Sequence, residues 1–155
     1  MASPVDAGAE LERACDLYLN SYREALPRIA RRGFQPIIDA LNRLLDDSGE
    51  DTTVIFHYPV ENGLRAPSTS KSNTYGVLVW SKRRNTFGFA VSKELFRLGH
   101  MTLQVGLEGY RAVSMEDIVE LGVKPWEIAE FLKQEAVTAS FYTSMKNVTQ
   151  PVAKA

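Results

Sequence analysis

The chain has 155 residues, of which 45% are hydrophobic and 24% are charged. These fractions are typical of a soluble globular protein and exclude wholesale disorder, which needs low hydrophobicity and a high net charge. The net charge of −1 excludes a histone-like polycation, and the single cysteine, Cys15, excludes an intramolecular disulfide.

The first fifteen residues lack the pattern of a signal peptide. They carry Asp6, Glu10 and Glu12 but only one basic residue, Arg13, whereas a signal peptide needs a basic start and an unbroken apolar stretch. No apolar run approaches the roughly 20 residues that a membrane span requires. The sequence therefore predicts a cytoplasmic protein with no membrane partner, folded as a single domain over residues 1–155.

Two amphipathic helices are predicted over residues 1–49, as a helical hairpin. The second begins at Pro36 and ends at Gly49, and Pro27 should kink the first. The apolar stripe of the first helix is Leu11, Cys15, Tyr18, Tyr22, Leu26 and Ile29. Its Tyr18 and Tyr22 face would allow a homo-oligomer.

The pattern changes to that of β-strands over residues 52–113. β-branched and aromatic residues alternate with turn residues there, which predicts an antiparallel sheet of about five strands. The strands are predicted at 52–58, 75–81, 87–92, 101–105 and 110–113. A long polar loop over 61–74 interrupts them, and residues 93–98 form at most a short helical turn.

Helices return over residues 114–147. Ser114 and Asp117 have the spacing of a capping box, Gly122 ends the short helix that follows, and Pro125 begins another. The order of helices, then strands, then helices is typical of an α+β fold.

The residues for several kinds of catalysis are missing. Two histidines and one cysteine cannot supply the four ligands of a usual structural zinc site, and no glycine-rich phosphate loop is present. Cys15 falls on the apolar stripe, which indicates a buried and inert thiol. We therefore expect no metal, no cofactor and no enzyme activity. A histidine-dependent enzyme using His57 or His100 is the remote alternative.

The charges are sorted along the chain although the total is near zero. Residues 1–64 hold 6 basic and 11 acidic side chains, residues 65–111 hold 8 and 2, and residues 112–155 hold 4 and 6. The net charges are therefore −5, +6 and −2. The predicted sheet is the basic part of the chain, between two acidic helical parts.

The densest basic point is the predicted hairpin tip at residues 82–85. Basic side chains beside aromatic rings on a sheet are typical of proteins that bind single-stranded nucleic acids. The candidate binding residues are Arg65, Lys71, Trp80, Lys82, Arg83 and Arg84, with Trp80 either stacking or supporting. The alternative is that the aromatic residues belong to the core and the cations keep the tip soluble.

The helices predicted after residue 114 also have the spacing of a helix-turn-helix unit. Residues 117–123 and 126–132 would be its first two helices, and residues 140–147 would be the reading helix. Lys133 stands where a turn glycine is common, and Glu127, Glu130 and Glu135 would repel phosphate. An ordinary packed helix pair explains the same pattern.

These observations predict a small, non-enzymatic binding or regulatory protein. Its expected partner is anionic, with nucleic acid or a nucleoprotein complex as first choice, contacted by the basic hairpin and loop. The alternative is a protein–protein adaptor or inhibitor that acts through the acidic helices or the basic tip.

Overall fold

The structure is a computed structural model that describes residues 4–22, 32–67, 69–96, 98 and 108–137. Its helices are α1 (Pro4–Tyr22), α2 (Gln35–Ser48), α3 (Met115–Glu120) and α4 (residues 125–137). Its strands are β1 (Thr52–Glu61), β2 (Leu64–Arg65), β3 (Tyr75–Ser81), β4 (Thr86–Ser92) and β5 (Glu108–Val113). The predicted α+β class is confirmed.

The N-terminal helices pack against each other as the apolar spacing predicts. Leu11, Cys15 and Tyr18 are fully buried, and the Tyr18 ring meets the Phe34 ring edge-on at 5.3 Å. An ion pair between Glu10 and Arg43 joins the two helices at the surface. The Tyr18 side chain is already buried within the chain, and the homo-oligomer stays a prediction. Residues 23–31 and the side chain of Tyr22 lie outside the described part.

Helix α2 ends where its sequence predicts. Gly49 has a φ of 74°, in the left-handed region that glycine adopts without strain, and its N–H donates to the Leu45 carbonyl at 2.9 Å. The chain then turns directly into β1. Residues at the C-terminal end of α2 therefore lie beside the start of the sheet.

The five described strands form an antiparallel sheet in the order β2-β1-β3-β4-β5. The register of β1 with β3 pairs Thr52 with Ser81 at one end and Pro59 with Tyr75 at the other. The 82–85 turn therefore lies at the end of the sheet where β1 begins, and the 61–74 segment lies at the opposite end.

Part of the predicted long loop is a second hairpin. β2 pairs with the end of β1, with Val60 opposite Arg65. Asn62 and Gly63 both have positive φ, 53° and 78°, as a two-residue type I′ turn requires. The Asn-Gly dipeptide is the sequence signal for this turn.

Two further predictions for the sheet need comment. Over 93–98, where at most a short helical turn was expected, the described residues form no helix, and Lys93 and Glu94 lie in a bend. The strand predicted at 101–105 lies outside the described residues.

A β-bulge in β1 changes which side chains share a face. Val54 pairs with Val79 and Phe56 pairs with Leu78, so Ile55 is the extra residue. Strict alternation would put His57 on the face opposite to Val54. The bulge puts both on the same face, although His57 still lies opposite to Phe56.

Both faces of the sheet are packed. The main core lies between the helices and the face that carries Leu78, Trp80 and Phe87. A smaller cluster on the other face contains Val54, Val77, Val79 and Phe96. Burial on both faces explains why β3 reads as an almost unbroken apolar run.

The two C-terminal helices pack at different places, α3 against β5 and α4 beside β1. Ser114 and Asp117 form the predicted capping box, in which each side chain accepts a hydrogen bond from the other residue's backbone N–H. Phe131 of α4 meets the rings of both Phe56 and His57, at 5.7 and 5.0 Å. Because those two residues point to opposite faces of β1, α4 lies along the strand's open edge, where a helix protects unpaired backbone groups.

Within the described ranges, we find no helix with the length and apolar character to cross a bilayer.

Candidate interaction site

The predicted binding residues fall at two separate ends of the sheet. Arg65 and Lys71 follow the end of β1, whereas Lys82, Arg83 and Arg84 follow the end of β3. The seven residues of β3 separate the two groups by about 20 Å at 3.3 Å per residue. The expected single surface made of hairpin and loop is therefore split by the antiparallel register.

At the first end, Arg65 is engaged by the protein itself. Its guanidinium donates two hydrogen bonds to the Glu127 carboxylate, at 2.8 and 3.1 Å, and a third to the Gly122 carbonyl. It also lies over the rings of Phe56 and Tyr58, at 5.5 and 5.2 Å. Arg65 thereby fastens β2 to the α3–α4 turn.

The electrostatics of this pair agree with its geometry. Burial tends to raise the pKa of Glu127, but hydrogen bonds from Arg65 and from the Lys124 N–H outweigh it, so the pKa is lowered. The hydrogen bond to Glu127 raises the pKa of Arg65. Both groups therefore stay charged and paired at neutral pH, and Arg65 is a structural residue.

Lys71 is exposed, in a loop held by serine side chains. The Ser72 hydroxyl donates to the carbonyls of Val60 and Thr74, and the Ser70 hydroxyl donates to Glu61. This loop is ordered by local hydrogen bonds, and Lys71 stands alone on it as a cation.

At the second end, Asp51 builds the 82–85 turn. Its carboxylate accepts hydrogen bonds from the Arg83 backbone N–H at 2.7 Å and from the Ser81 hydroxyl at 3.2 Å. The Lys82 N–H donates to the Asp51 carbonyl, and Asn85 closes the turn with a φ of 50°. These hydrogen bonds order the turn, and they leave the side chains of Arg83 and Arg84 exposed.

Carboxylates lie among the cations of this turn. Lys82 forms an ion pair with Asp46 of α2, and the Arg83 Nε lies 4.0 Å from the Asp51 carboxylate. A cleft of about 410 Å³ between the end of α2 and the turn is lined by Asp46, Glu50 and Asp51 as well as by Lys82 and Arg83. The surface is of mixed charge, which the linear charge count does not indicate.

Arg83 and Arg84 remain accessible. The Arg83 side chain is 78% exposed, and the exposed Arg84 has its guanidinium carbon 5.9 Å from the centre of the Tyr110 ring. No carboxylate of the described residues forms an ion pair with Arg84. These two arginines are the part of the predicted site that the structure leaves available at one place.

Trp80 is a supporting residue. It is 2% exposed, its indole N–H donates to the Asn42 side chain at 2.8 Å, and its ring meets Phe87 at 5.0 Å. A base cannot stack on a ring that is enclosed in this way. Of the two roles expected for Trp80, only support fits the structure.

A groove that the sequence did not indicate lies on the other side of the turn. It has a volume of about 320 Å³, and its floor consists of Ile38, Trp80, Phe87, Val113 and Met115. Its polar rim includes Gln35, Asn85, Ser114 and Glu116. The groove forms where α2, the start of α3 and the β3–β4 turn meet, which only the tertiary fold brings about.

His57, the described residue of the two histidine candidates, is half-buried, and the Cys15 thiol is fully buried. Burial lowers the pKa of His57, partly offset by Glu135, and its ring lies between those of Phe131 and Tyr75. Burial raises the pKa of the Cys15 thiol to about 12, so the thiol is protonated and unreactive at neutral pH. His100 lies outside the described residues. Among the described residues, no group of three or more metal-ligating side chains comes together.

The α3–α4 unit packs as an ordinary helix pair over the residues described. Ile128, Ala129 and Leu132 are fully buried, and Glu127 is held by Arg65. Lys133 pairs with Asp16 of α1 at 2.7 Å, which ties α4 to the N-terminal helices. The reading helix expected at residues 140–147 lies outside the described residues.

Comparisons of this chain with protein-family models, with curated proteins and with solved structures give no match. The function must therefore be inferred from the geometry and charge of the molecule itself.

Proposed function

We propose that this chain is a binding protein whose contact surface is the 82–85 turn, and that its partner is another protein. The observation that supports this is the exposure of Arg83 and Arg84 on a hydrogen-bonded turn beside a cleft of mixed charge. Arginine is enriched among the residues that dominate protein interfaces, and an ordered turn loses little entropy on binding.

The mixed charge of the cleft beside the turn favours a protein partner over nucleic acid. A polyphosphate needs a surface of one sign, and Asp46, Glu50 and Asp51 would repel it within the same cleft. Lys82 is neutralised by Asp46, and Arg65 and Lys71 are about 20 Å away at the far end of β3. A protein surface can present both signs of charge, so it can complement this pattern.

The proposal is tested by photocrosslinking inside cells that express the chain naturally. A photoreactive amino acid replaces Arg83 in one variant and Lys71, an exposed cation at the other end of the sheet, in a control variant. We expect position 83 to give a discrete, nuclease-resistant protein adduct that position 71 does not give. The purified adduct partner should then bind the wild-type chain, and bind the Arg84→Glu variant about tenfold or more weakly.

Two results would overturn the proposal. Adducts that are equal at positions 83 and 71 would mean that the turn is not an interface. Nuclease-sensitive adducts at position 83 would favour nucleic acid. Fluorescence anisotropy with labelled single-stranded DNA, duplex DNA and RNA checks this outcome directly. Salt-dependent binding that the Arg83→Ala/Arg84→Ala variant loses would establish nucleic acid as the partner.

A further inference from the structure

Two aromatic rings meet across β3 on the face of the sheet that carries the main core. Tyr58 of β1 and Phe89 of β4 form this aromatic pair, with centroids 6.4 Å apart and ring planes at 26°. Gly76 of β3 lies beneath them, since a Cβ there would be 2.8 Å from the Tyr58 Cζ, the carbon that bears the hydroxyl. The hydroxyl end of Tyr58 therefore points across β3 toward Phe89.

The Tyr58 hydroxyl makes no hydrogen bond to the described residues, although the residue is only 5% exposed. Its oxygen is not fully enclosed, in contrast to the hydroxyl oxygen of Tyr110. Burial raises the pKa of Tyr58, and the charges of Arg65 and Arg111 act against that rise. The phenol is therefore protonated at neutral pH, and it is a donor whose missing hydrogen bond a ligand can supply.

Arg111 of β5 supplies a cation on the other side of Phe89. Its side chain is exposed, and its guanidinium carbon lies 5.7 Å from the centre of the Phe89 ring. No carboxylate of the described residues forms an ion pair with it. Because Arg111 is exposed, its guanidinium can adjust to a ligand that the Tyr58 hydroxyl holds at the edge of the aromatic pair.

These two donors suit an anion with more than two acceptor oxygens. A guanidinium binds two oxygens of one anion through parallel N–H groups. A phosphate group then has a further oxygen for the Tyr58 O–H, whereas both oxygens of a carboxylate are already used.

The surrounding charges limit the size of the anion. Glu127 is paired with Arg65 on the β2 side. On the β5 side lies Asp117, whose pKa is lowered chiefly by hydrogen bonds with Ser114 and also by the charge of Arg111. Carboxylates on both sides would repel a polyphosphate, so the space between them suits one phosphate group.

We propose that Arg111 and the Tyr58 hydroxyl bind one phosphate group, either free or carried by a phosphate monoester, beside the Phe89 ring. This inference goes beyond the proposed function, because the 82–85 turn lies at the other end of the sheet. Phosphate binding and crosslinking at position 83 therefore succeed or fail independently.

Inorganic phosphate is the first probe, added to the ¹⁵N-labelled full chain at constant ionic strength. The Gly76 amide lies beneath the aromatic pair, whereas the Gly88 amide lies beneath Tyr110, the ring that Arg84 covers. The second place is a matched control, because an arginine lies over a tyrosine there but the hydroxyl is enclosed. We expect the Gly76 signal to shift saturably, with a Kd on the order of 1 mM, and the Gly88 signal to stay unchanged.

Variants separate the two donors. Tyr58→Phe keeps the ring and removes only the hydroxyl, so it should weaken phosphate binding about fivefold or more. Its melting temperature without phosphate should equal that of the wild type, and phosphate should raise the melting temperature of the wild type alone. Arg111→Gln should abolish binding, whereas Lys124→Gln, which removes a cation over the Trp126 ring, should not affect it.

Two further probes identify the ligand. Acetate should bind at least about fivefold more weakly than phosphate, because it lacks the further oxygen. Glycerol 3-phosphate that binds as tightly as inorganic phosphate would identify a phosphate monoester as the ligand. Loss of binding with this ester would identify free phosphate, and both results support the site.

The inference is overturned if phosphate shifts Gly76 and Gly88 equally, or gives no saturable shift at about 20 mM. Equal affinities of Tyr58→Phe and the wild type would show that the hydroxyl binds no ligand. Acetate that binds as tightly as phosphate would overturn the assignment to a phosphate group.

Discussion

An arginine lies beside an aromatic ring at each end of the sheet, but the two arginines have different roles. At each end an arginine lies over an aromatic ring, Arg65 over Tyr58 and Arg84 over Tyr110. Arg65 is also held by a carboxylate and a carbonyl, and its side chain is 31% exposed. Arg84 has no such partner among the described residues.

The difference teaches that a cation beside an aromatic ring does not by itself indicate a binding site. The role of such an arginine depends on whether a further group, such as a carboxylate, also binds its guanidinium. Glu127 does so at one end because α4 brings it there, and Arg65 then stabilises the fold. At the other end Asp51 accepts hydrogen bonds from the backbone and from Ser81 of the turn, and no ion pair of the described residues holds the guanidinium of Arg84.

The largest expected effect comes from the packing at the Arg65 end. A Cβ on Gly76 would lie 2.8 and 3.0 Å from the rings of Tyr58 and Phe89, which stack across β3. Tyr58 is buried and cannot move away without disturbing the core. Gly76→Ala should therefore lower the free energy of unfolding by about 2–3 kcal/mol, measured by urea denaturation.

Gly88→Ala is the matched substitution at the other end. Its Cβ would lie 2.5–2.7 Å from Tyr110, but this ring is only half-buried and can move outward. We expect a loss of about 1 kcal/mol or less for this variant. Equal losses at the two glycines would contradict the view that the Arg65 end is the more tightly packed.

The next effect concerns the Arg65 clamp. Arg65→Ala removes two hydrogen bonds to Glu127 and leaves a partly buried carboxylate without its partner. With allowance for partial exposure, we expect a loss of about 1–2 kcal/mol in urea denaturation. Arg65→Lys should recover less than half of the lost free energy of unfolding, since an ammonium cannot bind the carboxylate through two parallel N–H groups. A stability equal to that of the wild type would show that Arg65 is not a clamp.

The same clamp should make stability depend on pH in the acid range. The pKa of Glu127 is lowered in the folded state, because the hydrogen bonds from Arg65 and Lys124 outweigh burial. The folded state therefore binds fewer protons at this group than the unfolded state does. The contribution of Glu127 to the free energy of unfolding is complete above the ordinary glutamate pKa of about 4.3. It is lost as the pH falls through the lowered pKa of the folded state.

Urea denaturation between pH 6 and pH 3 measures this contribution. The wild-type chain and the Glu127→Gln variant should differ most at about pH 6 and converge toward pH 3. A constant difference over that range would show that the ionisation of Glu127 does not stabilise the fold.

The smallest effect on stability is expected at the turn. Arg83→Ala/Arg84→Ala should change the free energy of unfolding by less than about 0.5 kcal/mol, since both side chains are exposed and the turn is held by backbone groups. Asp51→Ala is the contrasting variant, and it should be destabilised because Arg83 and Ser81 lose their acceptor. A double-alanine variant as unstable as Asp51→Ala would mean that the arginines serve the fold.

The sequence predictions are confirmed where the structure depends on residues close together in the chain. The end of α2 at Gly49, the Ser114 capping box and the bounds of β3 all depend on contacts within a few residues. The Asn62-Gly63 hairpin was missed although its dipeptide is a strong turn signal, because the short strand after it has little apolar alternation. The bulge at Ile55 has no such signal in the sequence.

The candidate site could be predicted only in part. The cluster at Lys82, Arg83 and Arg84 is visible as a run of charge, and it does lie on a hairpin turn. Arg65 and Lys71 precede the hairpin closely in the sequence, but the seven residues of β3 place them at the other end of the sheet. No local sequence pattern indicates that Asp46 and Asp51 meet the basic turn.

The sequence by itself therefore determined the α+β class, most of the described helices and strands, and the position of the basic turn. These follow from periodicity, capping and turn chemistry, which act over a few residues. The tertiary structure alone decided which cations are satisfied and which are exposed, and it alone formed the groove beside the turn. Those outcomes depend on residues far apart in the sequence, which meet only when the chain has folded. Asp51 and Arg83 are 32 positions apart, and Arg65 and Glu127 are 62 positions apart.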